Sequence, residues 1–303
     1  MSVVMKYRTK VALQPVQAVL MLVLVVLVLF SPAGALPVAA FDIVLGPPSV
    51  GQGEVSLLTI KKGRELKPEV TWREKRIAVV LNSLNGTWSS FLGADLTTVP
   101  GKYTLTITYR DEVFVRQVNV VEKDHGIRRF RVPKEMEALE PPTLKRVRQE
   151  SKKMREIFSR SSRQPLWQGR WIRPLPGKVV SPFGCKTIIN NLERSPHSGV
   201  DLRAPHGTPI RAPNRGRVVL AEDHFFGGLS MVIDHGGQIH SMYFHLSDAS
   251  VAVGKVVEKG EIIGFSGSSG RTTGPHLHFG IRLNGNRVNP LGLIELSAGL
   301  EEE

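Results

Sequence analysis

The chain has 303 residues and one cysteine, Cys185, so no intrachain disulfide can form and stability must come from packed cores. A lone cysteine after Phe183-Gly184 reads as a small buried filler, with a soft metal ligand as the alternative. There is no His-Glu-x-x-His, which excludes the helical zinc motif with a built-in glutamate base. The glycine-rich run 264–274 has no Gly-Lys-Ser/Thr ending, so it is not a phosphate loop, and its glycines serve tight turns instead. Aromatic residues make up only 7% of the chain, few of them in the basic stretch 145–173, and no nucleic-acid motif accompanies that charge. The longest apolar run, residues 18–30, is shorter than the roughly 20 residues of a spanning helix.

That run has neighbours of its own. Lys6, Arg8 and Lys10 precede it, and Ala33-Gly34-Ala35 and Val38-Ala39-Ala40 follow, the three-part grammar of a secretory signal. Residues 1–40 are therefore expected to be a signal peptide cut near Ala35 or Ala40, or otherwise a retained inner-membrane anchor. The protein is accordingly expected in the periplasm or cell envelope. Removing the three basic residues of that segment, which holds no acid, takes the formal charge from +13 to +10. With an export signal present, an anionic wall polymer is the natural counter-charge; nucleic acid is not expected, and membrane contact is expected only if the segment is retained.

The remainder reads as mostly β. Over 41–133, Ile77, Val79 and Leu81 alternate with smaller residues, and Tyr103, Leu105, Ile107 and Tyr109 alternate with threonines, the pattern of a small β-sandwich of immunoglobulin-like architecture. Asn85-Gly86 reads as a turn, and His125 as an isolated surface histidine. Pro141-Pro142-Thr143 ends the strand pattern and opens a basic linker helix within 134–166, with Thr143 as its cap and Leu144, Val147, Met154 and Phe158 on one face. Residues 167–303 read as a compact all-β module of barrel-sandwich type with few helices, its strands near 218–221, 230–234, 239–244, 255–257, 262–266 and 276–283. Asn284-Gly285 is a hairpin turn after the last of these.

This module holds the chemistry. On a strand, His276 and His278 project to one side, so His276-Leu277-His278 offers two imidazoles to one site. His197 and Asp201 lie upstream in a segment whose proline and glycine argue against a helix. Imidazoles with a carboxylate suit Zn2+, and a catalytic zinc keeps three protein ligands and an open fourth position. With no glutamate base, His245 in Tyr243-Phe244-His245-Leu246 is the remaining candidate, expected to share a strand face with Ser241 and Tyr243. His206, His224 and His235 read as turn or loop residues, and His240 falls on the strand face opposite His245.

Ser195-Pro196-His197-Ser198-Gly199-Val200-Asp201-Leu202, Ala204-Pro205-His206-Gly207-Thr208-Pro209, Tyr243-Phe244-His245-Leu246 and the block Gly270-Arg271-Thr272-Thr273-Gly274-Pro275-His276-Leu277-His278-Phe279-Gly280 occur in this order. Together they resemble the lysostaphin and LytM-like zinc endopeptidases that cut peptidoglycan peptides, over about 183–290. The resemblance implies that His197, Asp201 and His278 bind zinc, that His245 and His276 are the unliganded catalytic imidazoles, and that the substrate is a cross-link or stem peptide of the wall. The alternative is a non-catalytic wall-binding module or an activator of another wall hydrolase; relatives of that kind lack one or more ligands. Gly254-Lys255-Val256-Val257-Glu258-Lys259-Gly260-Glu261-Ile262-Ile263-Gly264 also resembles the hairpin rhythm of lipoyl and biotinyl carrier domains, which implies shared barrel-sandwich geometry and not shared chemistry.

Overall fold

The computed structural model describes residues 42–61, 66–83, 85–131 and 139–300. The export segment expected over 1–40 lies outside them. Among the described residues no helix is long and apolar enough to cross a membrane.

Two antiparallel-dominated sheets form the first part. One runs Asp42–Gly46, Val55–Lys61, Thr87–Gly93, Val80–Leu81; the other runs Val50–Gly51, Glu112–Val121, Gly101–Tyr109, Glu69–Trp72, Lys75–Ile77. The alternation read over 77–81 is split in two, because residues 78 and 79 leave the ladder between Lys75–Ile77 and Val80–Leu81. Alternation explains how these sheets are used. On Thr87–Gly93, Trp88, Ser90 and Leu92 pair in register with Ile60, Leu58 and Ser56, and Trp72 reaches across from the other sheet to donate its indole N–H to the Gly93 carbonyl at 3.0 Å. The opposite side of the strand turns toward the second part: Phe91 lies 5.5 Å from Trp167, and Gly93 faces Leu283 and Val288 so closely that a Cβ would meet them at 2.8 and 3.0 Å. His125 corrects the expectation of a surface histidine. It is half-buried, with Nε2 at 2.8 Å from the Gln52 carbonyl and its ring edge-on to Phe183 at 5.6 Å.

The second part is built on a ten-stranded sheet. Its main path is Val179–Ser181, Val200–Arg203, His276–Leu283, Ile239–Ala249, Gly228–Asp234, Gly216–His224, Val256–Val257. The long strand Ile239–Ala249 pairs with His276–Leu283 in its first half and with Ile262–Ser266 in its second, so the sheet folds over on itself. Val218, Ile233, Tyr243, Leu246, Leu277, Phe279 and Ile281 fill the enclosed core. Asn284 and Gly285 have φ of +52° and +81°, the left-handed pair that a two-residue hairpin turn requires. Cys185 is buried and its side chain is not part of the donor cluster; its carbonyl accepts from the His197 N–H at 3.1 Å.

Helices differ from expectation at two places. The basic helix spans Pro141–Ser159, three residues earlier than a Thr143 cap suggests: Glu140 is its N-cap without a side-chain bond, and the prolines occupy the first helical positions, where a missing N–H costs nothing. It lies on the outer face of the main sheet through Met154, Ile157 and Phe158 against Leu220, Val232 and Met242. Arg146 to Asp223 and Lys153 to Glu222 pin it at the rim, and Glu150 accepts from the Phe225 N–H at 3.1 Å. The helix Pro290–Ser297 was not expected in an all-β module. Its signal is Asn289-Pro290, an N-cap whose side chain accepts from the Leu291 N–H at 3.2 Å, followed by proline at the first turn.

Candidate metal centre

The pairing of three strands assembles the site. Asp201 sits opposite His278 in the ladder between Val200–Arg203 and His276–Leu283, and Phe244 sits opposite His278 on the other flank. His276 and His278 face the same side, as period-two geometry requires. His197 enters from the loop before Val200–Arg203, held by Nδ1–H donating to the Pro182 carbonyl at 2.9 Å, with the Ser181 hydroxyl 3.2 Å away.

Three donor atoms converge. His197 Nε2 is 3.0 Å from His278 Nδ1 and 3.1 Å from Asp201 Oδ1, and His278 Nδ1 is 2.9 Å from the same oxygen. With the His197 proton committed to Pro182, its Nε2 carries a lone pair, and one proton on His278 can satisfy only one of the three contacts. A triangle of lone pairs is repulsive unless a cation sits among them. An ion with bonds of about 2.0–2.1 Å in tetrahedral geometry wants donors roughly 3.3 Å apart, close to what is observed, and two imidazoles with one carboxylate are borderline ligands that suit zinc. Burial works to raise the Asp201 pKa, but the adjoining imidazoles of His197 and His278 outweigh it and hold the carboxyl well below its usual range. Burial also lowers the pKa of His278, only partly offset by Asp201, which keeps this imidazole neutral and able to donate a lone pair. Phe244 stacks flat on the His278 ring, 5.2 Å between centroids and 4° between planes, and fixes its orientation.

Two further imidazoles flank the triangle. His276 directs Nδ1 at the Gly274 carbonyl, 2.9 Å, and its Nε2 lies 3.7 Å from Asp201 Oδ1. His245 directs Nδ1 at the Ser269 carbonyl, 2.9 Å, and its ring centroid is 4.7 Å from that of His276. In each ring the backbone carbonyl fixes the tautomer and leaves Nε2 as the free base. Burial pushes the His245 pKa down to about 4, against the Ser269 bond that raises it, with His276 and His278 lowering it further.

Contrary to the shared face that strand alternation predicts, His245 does not lie on the face of Ser241 and Tyr243. Tyr243 is fully buried in the core, its hydroxyl 2.8 Å from Ser241. The ladder to Gly228–Asp234 shifts register between Met231↔Tyr243 and Leu229↔Leu246, and His245 takes φ of +64° in that bulge. A left-handed residue inserted in a strand turns the side chain to the other face, and a non-glycine held there stores strain of order 1–3 kcal/mol. The bulge brings His245 to His276 and is invisible to a period-two reading.

The other histidines sort by environment. His235 is fully buried between the Arg215 carbonyl and Ser241. His240 lies on the helix side of the sheet against Phe158, opposite to Tyr243. His224 is buried with Glu222 at 2.9 Å, and His206 is exposed in its turn. Sequence reasoning missed Phe244 as the stacking partner of His278 and the carbonyls of Pro182, Ser269 and Gly274 that set the tautomers; of these, only Phe244 was open to inference, from its place beside His245.

The model of peptidase family M23 matches residues 195–290, which contain all five of these side chains. The crystal structure of a peptidase M23 from Pseudomonas aeruginosa is 30% identical, superposes with a TM-score of 0.66, and is covered over 96% of its length by 82% of this chain. The chain belongs to peptidase family M23. Among curated M23-like relatives, the DD-carboxypeptidase/endopeptidase Mpg of Neisseria meningitidis serogroup B is 41% identical over 118 residues, which are 38% of this chain and 27% of that protein. The peptidoglycan DD-endopeptidase ShyA of Vibrio cholerae is 41% identical over 97 residues, 32% of this chain and 23% of that protein. The chain thus spans about a quarter of the length of the curated relatives it matches. The Pseudomonas structure matches far more than the metal-bearing sheet, so the mostly β architecture ahead of that sheet is shared as well.

Proposed function

We propose that this M23 protein is a zinc-dependent endopeptidase that hydrolyses peptide bonds in peptidoglycan cross-links or stem peptides during wall remodelling. The observation that carries the reading is the triangle of His197, Asp201 and His278 donor atoms, 2.9–3.1 Å apart, with the free Nε2 atoms of His245 and His276 beside it. His197, Asp201 and His278 would hold the ion. Bound there, zinc supplies Lewis acidity that polarises a carbonyl and brings the pKa of a water to about 7. His245 and His276 divide the proton work: one Nε2 accepts the proton of the attacking water, and an imidazolium returns it to the leaving amine. Both rings are held by backbone carbonyls, so neither has to reorient between steps. The relatives named for peptidoglycan and DD-endopeptidase activity support the choice of substrate. The amino-terminal segment supports action outside the cytoplasm, either after cleavage or from an inner-membrane anchor, and the net positive charge supports contact with anionic wall polymers.

The test is digestion of purified peptidoglycan with metal-loaded and chelator-treated protein. The reading predicts about one zinc per chain and release of cleaved muropeptides only by the loaded form. Equal digestion by zinc-stripped protein would refute it.

A further inference from the structure

A cavity of about 620 Å³ opens between the basic helix and the main sheet. Ser198 and Phe244, direct neighbours of the metal triangle, line one end; Met154 and Phe158 from the helix roof it; Arg282 and Lys75 line the other. Arg282 lies on the same strand as His278, four residues on and therefore on the same face, which places it about 13 Å along the sheet at roughly 3.3 Å per residue.

Arg282 is an unusual residue to find there. Its guanidinium sits 5.3 Å over the Phe158 ring, and its Nε is buried with no hydrogen-bond partner. Among the described residues no carboxylate pairs with it. Asp95, the acid nearest in effect, is already held by both the backbone and the guanidinium of Arg287. Arg282 instead faces His240 and Arg287 across its two ladders, an arrangement of like or neutral groups that offers no compensation. Burial pushes its pKa down to about 10, and it remains a cation at neutral pH. Arg155 and Lys75 add two more positive charges to the lining, and the one acid there, Glu150, is committed to Arg146 and to the Phe225 N–H. A largely buried guanidinium without a paired carboxylate, in a positively lined cavity that reaches Ser198 and Phe244 beside the metal triangle, suits a planar anion such as a carboxylate.

We propose that this cavity is a carboxylate-binding subsite, in which Arg282 takes a free carboxylate of the substrate peptide about four extended residues from the bond that is cut. This rests on the peptide-hydrolysis reading and adds to it a specificity element outside the metal centre. The carboxylate is either the peptide's C-terminus or a side chain, two sources of one chemistry.

The experiment compares a synthetic wall stem peptide with two derivatives, amidated at the C-terminus or at the side-chain carboxyl. Hydrolysis by the zinc-loaded protein is measured for each, and binding of each to the His276→Ala variant is measured by calorimetry. One of the two amides is expected to raise KM and the dissociation constant at least tenfold, and which amide does so names the source. In Arg282→Gln the acid-to-amide ratio of both quantities is expected to collapse to near one, with Arg282→Lys in between. Equal values for acid and both amides with unaltered Arg282, or a ratio unchanged in Arg282→Gln, would overturn the subsite. Absence of hydrolysis with the tenfold binding preference intact would instead strike the catalytic reading and leave the subsite standing.

Discussion

Gly199 stands between His197 and Asp201, and its lack of a side chain leaves room for the His278 imidazole beside them. A Cβ added there would lie 2.4 Å from the Phe279 carbonyl oxygen and 2.7 Å from His278 Nε2. Ordinary contact begins near 3.4 Å, so the imidazole would have to retreat by about 0.7 Å. It has little room to do so, because Phe244 stacks on its face and the register with Asp201 fixes its strand. A shift of that size would pull Nδ1 away from the other two donors. Gly199→Ala is therefore expected to destabilise the zinc-stripped fold by about 1–3 kcal/mol through overpacking. It is also expected to weaken zinc binding by roughly 10- to 100-fold, the size of effect seen when the groups that orient a ligand are disturbed. Competition with a chromogenic chelator measures the affinity, and denaturant unfolding of stripped protein measures the stability. A variant that binds zinc as tightly as the parent and unfolds at the same denaturant concentration would refute the claim that Gly199 sets the position of His278.

His245→Ala and His276→Ala should each keep about one zinc while losing roughly 10²- to 10⁴-fold in turnover, whereas His278→Ala should lose metal and turnover together; metal analysis beside a peptide assay separates the two classes. Asp95 is raised by burial but held well below its usual range by Arg287 and Thr97, so its contribution is complete above the ordinary carboxylate pKa and is lost as pH falls through the depressed one. Asp95→Asn should accordingly cost about 1–3 kcal/mol at pH 7 by denaturant titration, because it weakens the hold on Arg287 in a half-buried site, and a cost near zero would contradict the pairing. Burial pushes the His235 pKa down to about 4, so as pH falls from about 6.5 toward 4 the unfolded chain takes up a proton that the folded chain refuses. Stripped protein should lose up to about 3 kcal/mol across that window, at 1.36 kcal/mol per unit, and His235→Gln should flatten the slope.

Local rules carried the reading where pairs of residues sit on one element. The shared face of His276 and His278 follows from strand period, and the Asn284-Gly285 turn from the left-handed conformation it needs. What escaped was set by contacts distant in sequence or by exceptions to the period. The bulge at His245 reverses one side chain against the alternation of its own strand, and a histidine at φ +64° is too uncommon for its position to be read from residue type alone. The seat of the basic helix depends on Asp223, Glu222 and the Phe225 N–H, some seventy residues further along, so its amphipathic face indicated that it docks but not where. His125 looked isolated because Gln52 and Phe183, the groups that hold it, lie far from it in the chain. The helix after Asn289 was legible from its cap and proline, and was obscured by the strand pattern before it.

The most direct test of the central claim is mass spectrometry of the fragments released from defined, cross-linked peptidoglycan by protein carrying one zinc. The account predicts new peptide termini at a peptide bond of the cross-link or stem, with no sugar-chain cleavage, and their disappearance in the chelated protein and in His276→Ala. Fragments that form without zinc, or that arise with the peptides intact, would contradict it.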